Sequence, residues 1–143
     1  MQDSIATLRS LIACCRDSAT GFEDAARNAH GDVLRERLIG VARQRETFAE
    51  ELAGLVREVG GELPVSGAPG KAWRPFAKSS RFKDDRPLLD ECIRADENTL
   101  LTYEQALTHE LPAALRPVVE RQRLTVLGTL MELRSIELAR RAG

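Results

Sequence analysis

Apolar residues return every three or four positions along four separate stretches of this chain, and that spacing limits the fold more than any other feature. The first stretch reads Ile5, Leu8, Ile12, Cys15, Ala19, Phe22 and Ala26, and the second Leu34, Leu38, Val41, Phe48, Leu52, Leu55 and Val59. The third reads Leu89, Ile93, Leu100, Tyr103 and Leu107, and the fourth Val119, Val126, Leu133 and Ile136. Side chains three and four apart share one face of an α-helix, so each stretch predicts a helix with one buried stripe. The expected spans are about 3–29, 33–59, 86–109 and 117–141.

The links between them suggest the topology. His30-Gly31-Asp32 offers a glycine to end one helix and an aspartate to cap the next, and so short a turn makes the first two helices antiparallel. Residues 60–85 are rich in Gly, Pro and Ser and form a long connector. A helix of about 27 residues is about 40 Å long, which a dozen or so extended residues cover, so this connector can cross from one end to the other. Pro87 is tolerated in the first turn of the third helix, and Pro112 and Pro117 bracket the last turn. Short, long and short links describe an all-α, four-helix up-down bundle of the ferritin-like kind, one domain with its crossover between helices 2 and 3.

Composition agrees with that architecture and excludes several functions. The chain is 43% hydrophobic, 30% charged and only 4% aromatic, which suits Leu, Ala and Val packed inside a charged exterior. With 21 basic and 22 acidic residues the formal net charge is −1, so no global field draws nucleic acid or an anionic membrane. The opening MQDSIATLRSLIACC holds an acid at position 3 and no apolar run long enough for a secretory signal or a membrane span, so the expectation is a cytoplasmic protein. Three cysteines, an odd number without a CxxC, fit a reducing compartment, with Cys15 and Cys92 read as small buried hydrophobes. No phosphate loop or nucleophile elbow marks a covalent catalyst.

Three polar residues interrupt the stripes: Arg45 in the second, Asp96 in the third and Gln122 in the fourth. A lone buried carboxylate is costly, whereas a guanidinium can hold it through two parallel hydrogen bonds. A crossover makes helices 2 and 3 parallel and brings Arg45 and Asp96 to similar depth. The expected centre is therefore a polar core cluster of Arg45 and Asp96, with Gln122 supplying a further bond and Tyr103 on the same face.

Beyond these spacings, "LIACCRDSATGFEDAA", "RQRETFAEELAGLVREVGG", "KAWRPF", "ECIRADENTLLTYEQAL" and "LPAALRPVVERQ" occur in that order. In this the chain resembles a bacterial family of ferritin-like four-helix bundles of unassigned function. The resemblance covers roughly residues 8–134 and implies the fold rather than an activity. The family pattern sets a Glu before an Asp ahead of the Tyr in its third helix and often a His late in its fourth. Here the order is Asp96 then Glu97, and residues 127–133 contain no His.

A carboxylate di-metal bundle needs Glu-x-x-His on two helices, and none occurs here. Iron, manganese or zinc could instead be held by carboxylates alone, from Glu23, Glu50 or Glu51, Asp96 or Glu97, and Glu120, one helix each. The preferred expectation is that no metal or other cofactor is bound, these acids being solvated faces. The connector interleaves Lys71, Arg74, Lys78 and Arg81 with Trp73 and Phe76, a mixture able to bind phosphate or stack on bases. Its more ordinary use is to dock the aromatics and leave the bases in water. Leu63, Val65, Leu101 and Leu124 lie beyond the stripes and suggest self-association as a homodimer. The leading expectation is a non-catalytic structural or interaction protein. A carboxylate metal-binding or oxidoreductase bundle comes second, and a module binding through the connector third.

Overall fold

Four α-helices form where the stripes run: α1 (Gln2–Asn28), α2 (Asp32–Glu58), α3 (Arg86–Leu107) and α4 (Arg116–Ala142). The computed structural model describes residues 2–61 and 84–142, and among these no strand occurs. The arrangement is all-helical and consistent with a four-helix bundle.

Local chemistry sets the helix ends. Gly31 is the N-cap of α2 in extended conformation, so Asp32 occupies the first turn and not the capping position the sequence suggested. Gly60 takes φ +76, a region closed to most side chains by their own Cβ. Its N–H bonds to the Arg57 carbonyl and that of Gly61 to the Val56 carbonyl, the paired bonds of a Schellman stop. Pro87 and Pro117 stand in the first turns of α3 and α4, where a missing N–H costs nothing.

Contacts between the helix ends fix the directions. The Ser4 hydroxyl donates to the Glu110 carbonyl, while the His30 N–H donates to Asp85 at the other end, so α1 and α3 run antiparallel. Tyr103 meets Gln122, and Arg140 comes within 4.0 Å of Asp85, which makes α4 antiparallel to α3. Gly61 lies beside Ile5, close enough that an added Cβ would stand 3.2 Å from it. The chain therefore leaves α2 at one end and enters α3 at the other, and α2 and α3 are parallel.

The core has two apolar parts. Phe22, Leu34, Leu38, Leu89, Ile93 and Leu133 belong to the part near the α1–α2 turn, and Leu8, Ile12, Leu52, Val56, Val119 and Val126 to the other. One stripe position shifts by one residue: Val56 is buried where Leu55 was expected, because 3.6 residues per turn drifts against a seven-residue pattern, and Leu130 of α4 joins the buried residues between Val126 and Leu133.

Candidate functional site

Between the two apolar parts runs a polar belt. Arg45 and Asp96 are both 0% exposed, and the guanidinium donates from Nη1 to Oδ1 at 2.6 Å and from Nη2 to Oδ2 at 2.9 Å. Nη1 also donates to the Ser18 hydroxyl at 2.8 Å, and the guanidinium lies 5.3 Å from the centre of the Phe22 ring. Burial pulls the Arg45 pKa down and the Asp96 carboxylate pushes it up, the second effect winning, so the base stays charged. Both acid oxygens are engaged by one fork, the geometry a guanidinium offers and an ammonium does not. Arg45 Nε alone has no partner.

Gln122 does not join that pair, contrary to expectation. It stands two turns away on the α3 side, level with Tyr103, whose hydroxyl donates to Gln122 Oε1 at 2.6 Å. That phenol spends its only proton there, so the contact with Cys15 at 3.0 Å has the thiol donating to the phenol oxygen. Gln122 Nε2 donates to Glu51 at 2.9 Å and toward the Phe48 carbonyl at 3.4 Å, and Glu51 pairs with Arg121 at the surface. A hydrogen-bonded ladder thus runs from a buried thiol on α1 through α3 and α4 to a surface carboxylate on α2. Burial pushes the Cys15 thiol up to about 12 and also raises Tyr103, so both are neutral at pH 7.

A third polar group holds one end of the molecule. Asp85 is almost fully buried and accepts from the backbone N–H groups of His30 at 2.9 Å and Gly31 at 3.0 Å, with the His30 ring 3.1 Å away. Burial pushes its carboxyl up, but these hydrogen bonds prevail and hold it below the usual carboxylate range.

The acids weighed as metal ligands do not gather. Glu23 pairs with Arg27, Glu97 with Arg134, and Glu120 with Arg116, all at the surface, while Glu50 is exposed and Glu51 and Asp96 are engaged as described. Among the described residues no group of three or more His, Cys, Asp or Glu could hold a metal ion. Lys71, Trp73, Arg74, Lys78 and Arg81, together with Leu63 and Val65, lie outside the described residues. No helix among the described residues is long and apolar enough to cross a membrane.

Sequence spacing did not reveal Ser18 as a partner of Arg45, nor Asp85 as the anchor of the α1–α2 turn. Ser18 sits one turn beyond Cys15 on the inner side of α1, a faint pointer. For Asp85 the only hint was that the free N–H groups of a tight turn need an acceptor.

Fold and belt together define an all-α, four-helix protein whose central charges are neutralised inside the core. The chain belongs to the family described as Domain of unknown function (DUF2383), whose model matches residues 3–109, that is α1 to α3 and the intervening segment. No curated protein matches the chain.

Proposed function

We propose that this protein is a ferritin-like bundle serving as a non-catalytic structural or interaction protein, without a diiron centre. The observation that carries this reading is the engagement of both Asp96 oxygens by Arg45, because a carboxylate whose charge is already balanced by an internal guanidinium attracts an iron far less and could bind one only with that second cation beside it. The distribution of the other acids among surface arginines supports it. The long crossover between α2 and α3, implied by their parallel course, supports the ferritin-like assignment. Free cysteines suit a reducing compartment, here the cytoplasm. Identical chains are the expected partners.

The test is elemental analysis of protein purified without chelator, alongside the same measurement on Asp96→Asn. Sub-stoichiometric metal in both samples is the expected result. Stoichiometric iron, manganese or zinc that disappears in the variant would overturn the proposal.

A further inference from the structure

Helix α4 carries a second seam on the side away from its buried stripe. Leu124, Gly128, Met131, Ser135, Leu138 and Ala142 follow one another at intervals of four and three, and all six are exposed. Leu124, Met131 and Leu138 are 58%, 59% and 63% exposed, three of the large apolar side chains that the described residues present to water. An outward helix face normally carries charge, and this seam carries none.

Size alternates along the seam. Large residues stand at 124, 131 and 138 and small ones at 128, 135 and 142, and nothing lies within 4 Å of a Cβ added to Gly128. Apolar residues at alternating intervals of three and four form the contact line of a two-stranded coiled coil. In an antiparallel pair of identical α4 helices, the register that sets Met131 against Gly128 of the partner subunit also sets Leu124 against Ser135 of the partner subunit. Met131 and Leu124 then each meet a hollow, twice over by symmetry, while Leu138 stands opposite Arg121 of the partner subunit at the edge of the contact. The same register brings Glu120 opposite Arg141 of the partner subunit on the flank of the seam, an attractive pair that also occurs twice. Glu120 lies 3.7 Å from Arg116 and Arg141 pairs with Glu137, both within α4 and near water, so neither charge is committed to the core. Leu101 on α3, 51% exposed, extends the apolar surface.

We infer that a second copy of this chain docks on the outer face of α4, helix against antiparallel helix about a two-fold axis between Gly128 and Met131. This deepens the interaction reading given above and rests on it, since it names the partner that reading requires. Sedimentation equilibrium of the full chain, with metal content measured on the same sample, tests both. A dimer is expected that Met131→Glu converts to monomer at unchanged helicity. Gly128→Leu, an apolar change that raises helix propensity, is expected to do the same by filling the hollow. Glu120→Arg and Arg141→Glu should each weaken the dimer about tenfold and restore it when combined. A monomer at every concentration, or a dimer indifferent to Met131→Glu and Gly128→Leu, overturns the seam while leaving the metal-free reading intact. Stoichiometric metal sinks that reading whatever the mass.

Discussion

Arg45 and Asp96 join the two parallel helices α2 and α3 through a pair of hydrogen bonds of 2.6 and 2.9 Å, at the level where the apolar core divides. One residue of slip in α3 would turn the acid about 100° away from the base and strand both charges. The pair therefore fixes the rotation and the height of α3 against α2, which apolar contacts alone specify loosely. Ser18 adds a third helix to the same point.

Removing the acid should be far more damaging than removing its neighbour. Asp96→Ala leaves a buried guanidinium unpaired and is expected to cost about 3–5 kcal/mol. Glu97→Ala loses only an exposed pair with Arg134, about 0–1 kcal/mol. Denaturant midpoints of the two variants compare them directly, and equal midpoints would contradict the buried pair. Replacing both partners, Arg45→Met with Asp96→Leu, should recover most of the stability lost.

Tyr103→Phe isolates the ladder. The phenol is the shared partner of Cys15 and Gln122, so its loss leaves a buried thiol and a buried amide oxygen wanting, at about 1–3 kcal/mol. Equilibrium unfolding should register this with native helicity kept. A variant as stable as the parent would show that the hydroxyl is not bonded.

Acid should selectively release the end of the molecule held by Asp85. Its carboxyl titrates below the usual range in the folded chain, so the stability it contributes is present above the unfolded value of about 3.9 and is lost as pH falls through the lower folded value. Asp85→Asn is expected to be less stable than wild type near neutrality by on the order of 1–3 kcal/mol. The His30 ring and the Arg140 guanidinium face Asp85 from the turn and from α4. The gap between the two melting temperatures should narrow as pH falls below the unfolded carboxylate value; a gap that stays constant through the acid range would remove the role assigned to Asp85.

Thiol labelling reads the core without mutation. Burial raises the pKa of all three thiols, but Cys15 and Cys92 are fully enclosed whereas Cys14 is only partly buried. Native protein at pH 8 should give slow labelling at Cys14 alone, and denatured protein should release all three thiols. Rapid native labelling that persists in Cys14→Ser would mean the core opens far more often than its packing implies.

The sequence by itself placed the helices, the Gly-, Pro- and Ser-rich connector after α2, and the opposite charges of Arg45 and Asp96 on inward stripes, because each of these depends on residues within a turn or two of one another. Only the tertiary structure decided which polar groups meet. Gln122 goes to Tyr103 and Glu51 rather than to the central pair, Ser18 reaches Arg45, and Asp85 holds the turn at His30 and Gly31. Helical spacing reports which face a side chain occupies but not the sliding and rotation of one helix against another. A few ångströms of that freedom determine which donor finds which acceptor.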